Sequence, residues 1–179
     1  EGFNNVMVGV VMQGQCVTHE VDVTALKDNE HYLIECKLHS DQGRFCNVKI
    51  PLYIHSRFID LEKQWLKNKE HSIKLHKGWV YTNTRLSSDA IQYGECAGLG
   101  LVSWDYPLKN SLKNRIENSG LHPLTCLSSL TKREKQDLLN SGIVLCKELC
   151  NKPSLLETVG ISALKIKDIL KEARELCNE

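Results

Sequence analysis

The chain has 179 residues, 41% hydrophobic and 25% charged, with a formal net charge of +1. That balance fits one ordinary globular domain, or a medium domain plus a small one, and excludes a disordered or fibrous chain. It also excludes a general basic field, so any nucleic-acid surface must be a local patch.

The opening, EGFNNVMVGVVMQG, enters a strand almost at once. It has no basic n-region and no cleavage pattern, so it does not read as a signal peptide. A start inside a strand predicts a preceding helix that is missing from the fragment. Residues 6–12 are rich in β-branched side chains and end before Gly14, as a strand does. Residues 16–26 and 31–38 are two further strand runs, separated by Lys27-Asp28-Asn29-Glu30, which predicts a β-hairpin. Residues 39–49 are polar and read as a loop. From Pro51 the period changes: Ile54, Phe58, Leu61, Trp65 and Leu66 recur at three and four residues, an amphipathic helix with proline near its first turn. GWVYTNT (78–84) reads as a strand. SSDAIQYGECAG (87–98) reads as a helix opened by Ser and Asp and closed by Gly. LGLVSW (99–104) reads as a last strand, and Pro107 closes the segment.

This order predicts an α/β sandwich around a central mixed sheet. Beyond it, residues 112–118 read as a short helix and the remainder as helical punctuation. The expected division is a core over 1–107, a linker with a short helix over 108–125, and a small all-α domain over 126–179. No apolar run approaches the roughly 18 residues of a membrane span. A cytoplasmic chain without a membrane partner is expected. The eight cysteines include no Cys-x-x-Cys pair, and read as small buried hydrophobes in a reducing compartment. Cys146 and Cys150 sit four apart on a helix and could hold a metal only with two further ligands. No matching pair at zinc-site spacing follows.

The charges of the hairpin stand out. A two-residue turn at Asp28-Asn29 would set Asp22 opposite Glu35 and Glu20 opposite Lys37. Directly opposed Cβ atoms lie about 4.5–5.5 Å apart, and a one-residue slip would destroy the arrangement. Two opposed carboxylates repel, and a hard divalent cation would offset that, keeping waters and substrate phosphates as its other ligands. Lys37 could then activate water or stabilise phosphate charge. The plain alternative is a solvated face of an ordinary hairpin.

The stretch EVDV…YLIECK resembles the core of the PD-(D/E)xK nucleases, the restriction-endonuclease-like superfamily. GWVYTNTRLSSDAIQYGECAGLGLVSW resembles the strand-helix-strand that closes its Mrr-like branch. The resemblance covers about residues 6–104. It implies Asp22 and Glu35 as ligands of Mg²⁺ or Mn²⁺, the Cys36 carbonyl as a third, Lys37 as the catalytic lysine and Glu20 as an auxiliary acid. It further implies endonucleolytic hydrolysis of DNA that leaves a 5′-phosphate. One feature departs from the pattern: many members carry another acid on a helix before the first strand, and Glu1 lies too near the strand to replace it. Similar segments occur behind nucleotide-binding ATP-cone domains, so such an N-terminal regulatory partner is expected by analogy. A junction resolvase would share the hairpin but require a homodimer, and a non-catalytic DNA-binding module would keep only the fold.

KQDLLNSGIVLCKEL and LLETVGISALKIKDIL each put Gly-Ile between two helices. They resemble helix-hairpin-helix units, whose turn offers backbone N–H groups to a phosphate. By that resemblance Gly160, Ser162 and Lys165 would contact DNA, with Lys167 and Lys171 adding charge. Both loops lack the second glycine of Gly-x-Gly, and a helical bundle using glycine caps is the plain alternative. His39 shares the Lys37 face and could reach substrate. His19 points to the strand face opposite Glu20, His55 opens the first long helix, and His71, His76 and His122 fall in loops. Arg57, Gln64, Asn83 and Arg85 could touch phosphate or be ordinary surface. Cys16 and His19 differ in strand parity, so they do not form a nucleophile pair.

Overall fold

The computed structural model describes residues 2–41, 43–67 and 74–177. Glu1, read as too near the first strand to replace the missing acid, and His71 lie outside them. The chain divides into two compact units, Glu1–Leu112 and Lys113–Glu179.

The first unit is a five-stranded mixed sheet in the order β1-β2-β3-β5-β7. Its strands are β1 (Asn4–Gln13), β2 (Thr18–Lys27), β3 (Glu30–Lys37), β5 (Lys74–Thr82) and β7 (Gly100–Val102). β1–β2 and β2–β3 are antiparallel, and β3–β5 and β5–β7 are parallel. The hairpin turn follows its chemistry: Asp28 and Asn29 both take positive φ, 51° and 60°. A turn matched to the right-handed twist of two strands needs that conformation at both central residues. His76 lies in β5, not in the loop expected for it. Two-residue strands β4 (Phe45–Cys46), inside the segment read as loop, and β6 (Arg85–Leu86), between the strand and helix read on either side of it, pair in parallel.

Helix α1 (Lys49–Trp65) starts two residues before Pro51, which sits buried in the first turn where no N–H is needed. Helix α2 (Ser88–Cys96) is capped by the Ser87 side chain accepting from Ala90 N. Both helices join the sheet's cores. Ile54, Val80, Ala90, Leu99 and Leu101 form one cluster. Val21, Leu33, Leu61 and Leu75 form another, with Phe58 and Trp65 against it. Small residues allow the close fit: a Cβ on Gly78 would stand 3.2 Å from that of Phe58.

The second unit is helical: α3 (Leu112–Ser119, which straddles the division), a 3₁₀ turn (Leu124–Cys126), α4 (Lys132–Asn140), α5 (Cys146–Asn151), α6 (Ser154–Thr158) and α7 (Ala163–Cys177). Leu124, Leu127, Leu138, Leu149, Leu156 and Ile169 fill its core. Among the described residues no helix is long and apolar enough to cross a membrane.

Candidate functional site

The hairpin keeps its expected register from Lys27↔Glu30 to Val23↔Ile34. There the ladder stops. Below it β2 pairs only with β1, through Val10↔Val21 and Val11↔Glu20, while Glu35 and Lys37 pair with Val80 and Thr82 of β5. Asp22 sits where the strands part, and its Oδ2 accepts the Cys36 N–H at 2.7 Å. A carboxylate thus replaces the main-chain acceptor that the missing strand would have supplied. A residue's N–H and C=O point to the same side of a strand, so the Cys36 carbonyl faces the same gap as Asp22.

The strand also changes phase here. Val21 packs with Leu33 against α1, yet the ladder partner of Leu33 is Thr24. Val21 and Thr24 therefore share a face, which strict alternation forbids. Gly9 on β1, at positive φ (64°), lies beside this irregularity. The slip corrects two expectations. Glu20 does not face Lys37, and its carboxylate is exposed on the side opposite Glu35. Asp22 and Glu35 are not a ladder pair, although the hydrogen bond to Cys36 keeps them at one level.

Glu35 is buried, at 7% exposure, and two cations hold it. Lys37 Nζ donates to Oε1 at 2.8 Å and Arg57 Nη1 to Oε2 at 2.7 Å. Arg57 Nη2 also donates to the Glu20 carbonyl. So the main chain of Glu20, not its acid, enters the site. The guanidinium lies 5.3 Å from the Tyr53 ring centre. Burying a lone carboxylate is costly; here the charge is paired on both oxygens.

His39, read as sharing the Lys37 face, is fixed through its backbone. Asn83 Oδ1 accepts its N–H and Asn83 Nδ2 donates to its carbonyl, both at 2.8 Å, clamping the ends of β3 and β5 together. The His39 Nε2 atom is buried. His19, as expected, faces away from Glu20, and its Nε2 pairs with Asp60 of α1 at 2.9 Å. Asp60 also accepts from the Cys16 and Val17 N–H groups. The His19 hydrogen bond, with those from the backbone, holds the Asp60 carboxyl at about 2. This staples the β1–β2 turn to the helix. The Cys16 thiol is pushed up by its hydrogen bond to Asp60, the wrong direction for a nucleophile.

A protein of Archaeoglobus fulgidus described only as uncharacterized is 33% identical over 168 residues, covering 93% of this chain and 90% of that one. The chain belongs to the AF1548-like family. The model of the family's C-terminal part, described as AF1548-like, C-terminal, matches residues 122–177. The crystal structure of AF1548, titled a protein of unknown function, superposes with a TM-score of 0.73 at 32% identity, covering 99% of this chain and 90% of that one.

In the C-terminal part of this AF1548-like chain, both Gly-Ile turns are helix stops. After α4, Gly142 N–H bonds the Leu139 carbonyl and Ile143 N–H that of Leu138. After α6, Gly160 and Ile161 repeat the pattern onto Glu157 and Leu156. Each is a Schellman cap with an apolar pair closing it. Gly98-Leu99 after α2 and Gly120-Leu121 after α3 do the same, so Gly followed by Leu or Ile ends α2, α3, α4 and α6 alike. Ser162 starts the helical bonding of α7, its carbonyl accepting from Ile166. Lys165, read as a DNA contact, is ion-paired: its Nζ lies 2.6 Å from Glu134 Oε2 and 2.7 Å from Oε1.

Arg57 and Asp60 are the site residues whose partners sequence reasoning missed. A signal for them existed. Both project from α1 within three residues of its apolar stripe of Ile54, Phe58 and Leu61, where a charge demands a buried partner.

Proposed function

We propose that the first unit is a metal-dependent endodeoxyribonuclease of the restriction-endonuclease-like kind. The observation that carries this reading is the parting of β2 and β3 at Asp22, which gathers the Asp22 carboxylate, the buried Glu35 and Lys37 at one point. The donor set suits Mg²⁺ or Mn²⁺. Two carboxylates and the Cys36 carbonyl are hard oxygens, and Mg²⁺ takes one or two carboxylates while keeping waters and phosphate oxygens.

Asp22, Glu35 and the Cys36 carbonyl would hold the ion, which when bound supplies Lewis-acid stabilisation of charge on a phosphodiester. Asp22 keeps the strands apart and fixes the Cys36 peptide. Arg57 fixes the Glu35 carboxylate and the bend of β2. Lys37, part exposed at 29% of its side chain, can exchange Glu35 for a phosphate oxygen and stabilise negative charge developing there. Plasmid DNA incubated with Mg²⁺ or Mn²⁺ should be nicked by wild type and at least about a hundred-fold more slowly by Lys37→Ala, the scale of one lost proton-transfer or charge-stabilising group. Equal rates for the two proteins would overturn the enzymatic reading and leave a DNA-binding module. Salt-sensitive binding without cleavage would identify that module.

A further inference from the structure

Strand β1 stands at the end of the sheet, and among the described strands its ladder is with β2 alone. Its outer N–H and C=O groups form an open edge, a ready template for another strand. Proteins blunt such edges with short strands, lysines or prolines. β1 uses none of these: it is ten residues long, and NNVMVGVVMQ carries no charge and no proline. Its apolar side chains stand out instead, with Val8 79% and Val11 68% exposed and Val6 and Met7 at least half exposed. The phase change at Gly9 concentrates the valines. Val8 pairs with Val23 and Val11 with Glu20. Each of those partners flanks a residue of the face packed on α1, Thr24 or Val21, so Val8 and Val11 share the other face. Val6, next to Met7, joins them by alternation.

The strand's own pattern identifies what fits this edge. Turned end for end, β1 sets polar Asn4 against polar Gln13 and its apolar run against itself. In that register Val6 stands opposite Val11 of a second copy, Met7 opposite Val10 and Val8 opposite Gly9, and a two-fold axis repeats each pair. Directly opposed residues of an antiparallel pair project to one face, and these do. Val6 and Val11 lie on the face away from α1. Met7 and Val10 lie on the α1 side, where their ladder partners Thr24 and Val21 point. The alternation broken at Gly9 in one copy is thus matched by the same break in the other. A strand relying on charge for its specificity would find no counter-charge on β1, whereas a second copy needs none.

We propose that β1 pairs antiparallel with β1 of a second copy, joining two five-stranded sheets into one across a two-fold axis. The inference does not rest on the nuclease reading, and its test reads association, not cleavage. The full chain should be a dimer by light scattering across the micromolar range, with the outward amides of β1 protected from hydrogen exchange. The axis passes between Val8 and Gly9, so the two Val8 side chains are diagonal neighbours. Val8→Lys and Val8→Glu each place like charges there and should each weaken dimerisation at least about tenfold. An equimolar mixture of the two variants should recover the dimer, because opposite charges then meet. Val8 is exposed in the single chain, so both variants should fold as monomers, which circular dichroism checks. Leu108→Lys, at an 85% exposed position outside the sheet, should leave the dimer intact. A monomeric wild type, a dimer that survives both Val8 variants, a mixture no more dimeric than either variant alone, or a dimer lost equally in Leu108→Lys would each overturn the proposal.

Discussion

At the scale of single residues, Arg57 carries the most structural consequence. It bridges the Glu35 carboxylate and the Glu20 carbonyl from a side chain only 12% exposed. Removing it leaves a buried carboxylate with one cation and a carbonyl with no donor from this side chain. Arg57→Gln should therefore lower unfolding free energy by about 2 kcal/mol, the scale of a lost charged hydrogen bond at a buried site. Arg57→Lys should recover only part, because lysine lacks the fork that reaches both acceptors. Urea unfolding measures this, and adding Glu35→Gln tests the cause. If the arginine acts through Glu35, the double variant loses less than the sum of the two singles. Additive losses would mean that Arg57 stabilises by packing alone.

At the scale of elements, the hairpin turn and the caps decide where strands and helices stop. Asn29 adopts left-handed backbone, which costs an ordinary side chain about 1–2 kcal/mol. Asn29→Val should lower stability by about that amount, read as a fall in melting temperature, whereas Asn29→Gly should leave it equal or higher. This turn was legible in the sequence because four polar residues separated two β-branched runs, and its register followed from its length. Helix α1 was legible from the spacing of Ile54, Phe58 and Leu61, and the ends of α2 from Ser87 and Gly98. The strand pair β4–β6 was not, since two residues carry no period. Nor was the phase slip at Asp22-Val23: alternation tells which residues share a face only while the strand stays regular, and nothing in the local sequence marks where it ceases to be. The partner of Arg57 was equally hidden, because 22 residues separate it from Glu35 and nothing local joins them.

At the scale of the whole molecule, the helical unit is held by acids that must stay ionised. The bond from Lys165, with those from Thr131, holds the Glu134 carboxyl at about 2. Burial would raise Glu172, but hydrogen bonds from Ser129 and Ser128 outweigh it and leave that carboxyl also at about 2. Glu148 is lowered by the N–H groups of Leu145 and Val144. All three fall below the ordinary value of 4.5. A depressed native value stabilises above the unfolded one and loses that contribution as pH falls through the native one. Helix content and melting temperature should therefore hold above about pH 4.5 and decline toward pH 2. Glu172→Gln should be less stable at neutral pH and lose less on acidification. An unchanged pH profile for that variant would remove Glu172 from the explanation.

The pairing at the parted strands has a kinetic consequence as well. Two carboxylates, Asp22 and Glu35, stand with two cations, Lys37 and Arg57, so the cluster has no net charge before anything binds. Bare carboxylates in a cleft would repel a polyanion on approach and slow its capture. On the nuclease reading, a phosphate-bearing chain would meet no uncompensated carboxylate on approach, and Lys37, part exposed beside Glu35, would be the cation that receives it.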